Sequence, residues 1–305
     1  MKAFVRLSDM KKENTTYCSK IMLIVSMLIF GTIGIFRKYI PLPSSVLAMA
    51  RGFIGMLFLL LVVWIKGSKL STIAIKKNLR YLLLSGAALG FNWILLFEAY
   101  QYTTVATATL CYYMAPIFVI LVSPFLLKER LSLKKILCVI VALIGMVLVS
   151  GVIQSGVSDI AEIRGILLGL GAAVLYASVI LLNKKIKDIA AYDKTIVQLG
   201  VAAVILLPYT FATEHMSELT FTPLMVVMLV VVGVIHTGVA YALYFGSMKN
   251  LKAQTVALYS YIDPIVAIIL SALILSEHMG MEEVIGACMV LGATMISEFE
   301  KGTES

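Results

Sequence analysis

The sequence predicts an all-α integral membrane protein, with ten transmembrane helices arranged as two five-helix halves of inverted topology. Three observations predict it. The first is apolar content: 61% of the 305 residues are hydrophobic and only 14% charged, with a mean hydropathy of +0.99. A helix crosses the ~30 Å hydrocarbon core with about 20 apolar residues, and runs of that kind fill most of the chain, which excludes a water-soluble globule. The second is an internal repeat. Leu110–Glu129, LCYYMAPIFVILVSPFLLKE, recurs without a gap 148 residues later as Leu258–Glu277, LYSYIDPIVAIILSALILSE, matching Tyr113 to Tyr261, Pro116 to Pro264, Ser123 to Ser271 and Glu129 to Glu277. The third is charge placement: basic residues gather in alternate connections, as the positive-inside rule requires.

Taken in order, residues 1–20 are polar and basic (Lys2, Arg6, Lys11, Lys12, Lys20) and form a cytoplasmic segment. The next apolar run ends in Arg37-Lys38 without a small-residue cleavage site, so it is expected to be a retained span and not a removed signal peptide. The predicted spans are 21–40, 44–65, 79–99, 104–127, 133–151, 164–183, 194–212, 223–247, 254–276 and 283–299. Gly145, Gly151, Gly286 and Gly292 in the short fifth and tenth spans are expected to let helices approach closely. Residues 21–151 make the first half and 164–299 the second, followed by a cytoplasmic tail, 300–305. Outside the fourth and ninth spans the halves align loosely, with Arg37-Lys38 facing Asn183-Lys184 and Arg51 facing Gln198 at a nearby offset.

With the N-terminus inside, all but four of the 25 basic residues are cytoplasmic: Arg37, Lys38 and Arg164 fall outside, and Arg51 lies within a span. The net charge of +8 is therefore expected to set topology in a multi-pass protein of the cell membrane (cell inner membrane), and does not imply a nucleic-acid partner. Both termini are expected in the cytoplasm. Each half has an odd number of spans, so the halves are inverted, an architecture of secondary transporters with the substrate site at the repeat interface. The four cysteines, Cys18, Cys111, Cys138 and Cys288, form no disulfide or metal-ligand pattern and are expected to be inert.

These residues carry a family resemblance. Tyr-Met-Ala-Pro116 through Lys-Glu129-Arg-Leu, and Tyr-Ile-Asp263-Pro264 through Ser-Glu277, resemble the penultimate spans of EamA-type members of the drug/metabolite transporter superfamily, ten-span branch. The resemblance covers residues 21–299. It implies two EamA repeats around a cavity lined by spans 1, 3, 4, 6, 8 and 9, moving a small metabolite. It names no substrate.

Ionisable groups at membrane depth are costly and become functional candidates. Asp263 and His236 fall near mid-membrane; Arg51 and Glu98 fall nearer the outer ends of spans 2 and 3, where they are expected to pair for structure. Asp263 and Tyr259 are spaced i, i+4, which puts both on one helix face. An acid among rings suits a cationic group through charge and cation–π attraction. The substrate-binding candidates are therefore Asp263, Trp93, Tyr113, Tyr241, Tyr261, Asn92, His236 and Tyr259. Against this stand packing readings: a histidine hydrogen-bonded in a helix bundle, and aromatics that fill cores or interface belts. Pro116 and Pro264 are expected to kink their spans and free the carbonyls of Tyr112 and Ser260. Together with Glu129 and Glu277 at span ends, and Arg51 with Glu98, they make the structural or gating set.

No Walker A loop, HExxH, CxxC pair or Gly-rich phosphate loop occurs, so no catalytic residue, metal or cofactor is expected. The expected function is secondary transport, export of an amino-acid-like or cationic metabolite, with the bilayer, the substrate and a coupled proton as partners. A channel or facilitator, and a membrane-embedded lipid-modifying enzyme, are the alternatives. The enzyme would need an acid/base cluster that His215, His236 and His278 are too scattered to supply.

Overall fold

The computed structural model describes residues 2–103, 108, 111–129, 132–150, 160–216, 219–275 and 281–298. Among them every regular element is a helix. The helices are α1 Lys2–Gly31, α2 Ile33–Lys38, α3 Ser44–Ile65, α4 Thr72–Tyr102, α5 Ala115–Leu127, α6 Leu133–Ser150, α7 Ile160–Lys185, α8 Ala191–Thr213 and α9 Pro223–Val231. A π-helical segment, Val232–Val239, leads into α10 Ala240–Ser247, followed by α11 Ala253–Tyr259, α12 Ile262–Leu275 and α13 Met281–Glu298. Asn14–Gly31, Ser44–Ile65, Thr72–Ala99, Ile163–Lys185, Ala191–Thr213 and Pro223–Ser247 are long and apolar enough to cross a membrane. The chain is a multi-pass helical membrane protein.

The repeat reaches well beyond the proline-bearing spans. Leu133–Ser150 shifted by 148 is Met281–Glu298, the bounds of α6 and α13. The ends of α3 and α8, Ile65 and Thr213, differ by the same number. Arg51 therefore corresponds to Leu199, not to the neighbouring Gln198. Packing follows the same exchange. Helix α4 lies on α7 as α10 lies on α1, and α5 lies on α7 as α12 lies on α1; α3 and α8 pack on each other, as do α6 and α13.

Three expected spans are broken. The first is a long helix from Lys2 that stops at Gly31, a turn at Thr32, and the short α2. The sequence before residue 21 contains good helix formers such as Met, Lys and Glu, so the helix extends past the apolar run. The expected 104–127 and 254–276 are also discontinuous. Tyr113-Met114 and Ser260-Tyr261 are turns between helical segments. Pro116 then falls in the first turn of α5 and Pro264 in the first turn of α12. A first-turn N–H has no intrahelical acceptor, so proline is accommodated there without the kink expected of a helix interior. The carbonyl engaged at the first break is that of Tyr113, which accepts the Tyr261 hydroxyl at 3.2 Å.

Two close approaches fix the centre. A Cβ on Gly31 would stand 2.6 Å from Val266 Cβ and 2.7 Å from the Asp263 carbonyl, so only glycine lets the end of α1 meet the start of α12. One on Gly55 would stand 2.9 Å from Thr237 Cγ2 and 3.0 Å from the Gly233 carbonyl, which presses α3 against the π segment.

Candidate functional site

Arg51 lies one turn before Gly55 on α3 and is buried, only 7% exposed. Its Nε donates to Thr237 Oγ1 at 3.0 Å, and its guanidinium carbon stands 4.9 Å from the centre of the Trp93 ring. Burial of this charge is compensated by the ring face and the hydroxyl. Thr237 Oγ1 in turn donates to the Val232 carbonyl, five residues earlier, at 3.0 Å. That spacing belongs to the π segment. The wider turn places Thr237 beside Arg51 and its neighbour His236 beside the turn after α1, where Nε2 lies 2.8 Å from Thr32 Oγ1. The Phe36 ring meets the imidazole edge-on at 4.7 Å. His236 Nδ1 is buried without a hydrogen-bond partner among the described residues. π segments recur at functional sites in helical proteins.

Trp93 also joins the two halves, its Nε1 donating to the Tyr241 hydroxyl at 3.3 Å. These residues stand 148 apart, as do Tyr113 and Tyr261. Phe30 meets Tyr241 edge-on at 4.9 Å. Tyr176 stacks on Tyr112 at 5.3 Å, and its hydroxyl lies 2.8 Å from that of Tyr244 and 3.3 Å from Ser260 Oγ at the second helix break. Asp263 opens α12 beside this group. The Tyr113 hydroxyl is its hydrogen-bonding neighbour and Arg51 acts on it electrostatically. Helix α1, α3, α4, α7, the π segment, α10 and both breaks thus contribute to one cluster of rings holding an arginine and a carboxyl.

The candidates divide accordingly. Trp93, Tyr113, Tyr241, Asp263 and His236 fall in or against this cluster. Tyr261 is fully buried and packs with Tyr113, Ile120 and Ile265. Asn92 points away: its amide donates to the Ala172 carbonyl at 2.7 Å, tying α4 to α7. Tyr259 ends α11 whereas Asp263 belongs to α12, so the pair does not share the helix face expected of it. Arg51 and Glu98 do not pair either. Glu98 accepts a short hydrogen bond from the Tyr209 hydroxyl, while Arg51 turns to Thr237 and Trp93. Membrane depth alone suggested their pairing; which way each side chain points around its helix decides against it. Glu129 holds the start of α11, its oxygens accepting from Ala253 N at 2.8 Å and Gln254 N at 3.3 Å. Glu277 lies outside the described residues.

Sequence reasoning missed Thr237, Tyr176 as a bridge between breaks, and the joining of Arg51 to the cluster. An arginine 148 residues before an apolar Leu199 was the available signal for the last. Among the described residues no group of three His, Cys, Asp or Glu side chains converges as a metal site would require.

Comparison with known proteins accords with this architecture. Residues 19–151 and 163–298 each match the EamA-like transporter family. A Bacillus subtilis (strain 168) protein, uncharacterized transporter YxxF, is 30% identical over 281 residues, 91% of this chain and 88% of its own. An uncharacterized transporter of Clostridium kluyveri is 28% identical over 246 residues, 78% of each chain. A protein of known crystal structure, 18% identical, superposes with a TM-score of 0.80 over 92% of this chain and 97% of its own, a likeness of fold. With two matches that together span most of its length, this chain belongs to the EamA-like transporter family.

Proposed function

We propose that the protein is a secondary transporter that exports a small organic metabolite, amino-acid-like or cationic, by alternating access between two inverted five-helix repeats. In this reading ten spans cross the membrane with both termini in the cytoplasm, and Asp263 binds the substrate or exchanges a coupled proton. Trp93, Tyr113, Tyr241 and Arg51 surround the same space. The coincident helix ends at an offset of 148 and the exchanged packing pairs support the repeat. The charge distribution supports the orientation.

One observation carries the reading. Residues equivalent in the two halves meet side by side at a buried polar cluster, Trp93 on Tyr241 and Tyr113 on Tyr261. A rocking of one half against the other would open and close that cluster to alternate sides. Buried arginine and carboxyl groups in a membrane bundle also cost insertion energy, roughly 2.5–3.5 kcal/mol each on insertion scales, and so call for a compensating role.

Purified protein in liposomes tests this. Flux of a labelled metabolite should saturate and should accelerate when unlabelled metabolite is present on the opposite side. Flux that rises linearly with concentration and ignores the opposite side would identify a channel instead.

A further inference from the structure

The Arg51 guanidinium is only partly used. Its Nε is bonded to Thr237 and its face rests on Trp93. Among the described residues no acceptor is bonded to either terminal nitrogen. Nor is either among the buried polar atoms that lack a partner, which are Thr103 Oγ1, Asn183 Oδ1, Gln198 Oε1, Thr210 Oγ1 and His236 Nδ1. Both terminal nitrogens therefore keep some accessible surface, although the residue as a whole is 93% covered. No direct ion pair joins Arg51 to Asp263 among the described residues, yet the two act on each other electrostatically, as do Arg51 and Tyr112.

A guanidinium with its Nε and face fixed and its outer edge free is a preorganised fork. The planar partner that fits two parallel N–H groups is a carboxylate. We infer that the outer edge of Arg51 is the subsite for a carboxylate of the transported molecule, with Thr237 as the residue that positions the fork. The inference rests on the transporter reading above and decides between its two substrate classes. A purely cationic solute would place like charge against Arg51, whereas an amino acid presents a carboxylate to Arg51 and an ammonium to Asp263. Thr237 acts only through Arg51. It holds the Nε through an oxygen that is itself oriented by the Val232 carbonyl of the π segment.

The test uses Trp93, which lies directly under the guanidinium, as its reporter. The chain has two tryptophans, and Trp64 is 76% exposed at the end of α3, so Trp64→Phe isolates the Trp93 signal. The full-length variant in nanodiscs is titrated with L-phenylalanine, its amide, 3-phenylpropanoate and 2-phenylethylamine, and with the corresponding alanine series. Carboxylate-bearing members should shift Trp93 emission, the zwitterion most strongly, and the amide and amine should not. Arg51→Lys retains the charge over the ring but loses the fork, and should weaken carboxylate binding roughly 30-fold. Thr237→Val should weaken it less, and Thr237→Ser should restore it. Equal binding of amide and acid, or unchanged affinity in folded Arg51→Lys, would overturn the inference. Silence from every carboxylate in protein that transports an amine would overturn it while leaving the transporter reading intact. Absence of saturable flux for any solute would instead remove the transporter reading.

Discussion

The two halves of this protein share a helical plan but not a chemistry. Helix α5 and helix α12 begin at equivalent breaks, each with a tyrosine in the turn and a proline in the first helical turn. Yet Asp263 stands where the first half has Ala115. The same contrast recurs around the cluster: His236 corresponds to Ala88, Thr237 to Leu89, and Arg51 to Leu199. The π segment corresponds to residues 84–91, which are ordinary α-helix within α4. The matched residues are the ring pairs, Trp93 with Tyr241 and Tyr113 with Tyr261. What the scaffold needs twice is aromatic packing and a helix break. What it carries once is charge, hydrogen-bonding capacity and a widened helical turn. Duplication builds the fold, and under the proposed function the departures from it carry the recognition.

Substitutions that force one half to resemble the other would break this comparison where it is strongest. Gly31 corresponds to Val179, and a Cβ there would strike Val266 and the Asp263 carbonyl. Gly31→Val should cost about 1–3 kcal/mol through overpacking, read as a lowered midpoint of thermal unfolding in detergent, and Gly31→Ala less. A valine tolerated with no change would mean that α1 and α12 are free to separate.

His236→Ala copies Ala88. It removes the bond to Thr32 and the contact with Phe36, but also a buried nitrogen without a partner. The net loss should be about 1 kcal/mol. A larger loss would make the histidine a principal clamp between α1 and the π segment.

The smallest effect is expected outside the cluster. Glu129→Gln keeps an oxygen for the start of α11 but removes the negative charge beside Ala253 N and Gln254 N. It should lower stability by about 0.5–1 kcal/mol and leave substrate affinity unchanged. A change in affinity without a change in stability would transfer Glu129 from bracing to recognition.

How far these features were legible follows from what each depends on. Span existence depends on apolar length, and the repeat depends on identity at a fixed offset, so both could be read directly. The helix breaks could not, because a proline looks the same inside a kinked helix and in the first turn of a new one. The π segment, VGVIHTGV, is as apolar as the α-helices around it, and its glycines lie against Ile54, Gly55 and Phe58, contacts that local sequence does not reveal. Asp263 was visible as a lone acid at depth. Arg51 was visible too, but its partners depend on its direction around α3, which depth does not fix. Asn92 shows the converse, a polar residue at the expected level whose amide serves helix packing.

The central claim, that the unpaired chemistry of the second half carries recognition, is tested most directly at Asp263. Asp263→Asn preserves size and hydrogen bonding while removing the charge absent from Ala115. The measurement is saturable uptake into liposomes, normalised to folded protein, for wild type and variant side by side. The variant should unfold within a few degrees of wild type but lose at least roughly 30-fold in transport, as expected when a charged contact is made neutral. A folded Asn variant with wild-type flux would contradict it and return Asp263 to a structural role in the bundle.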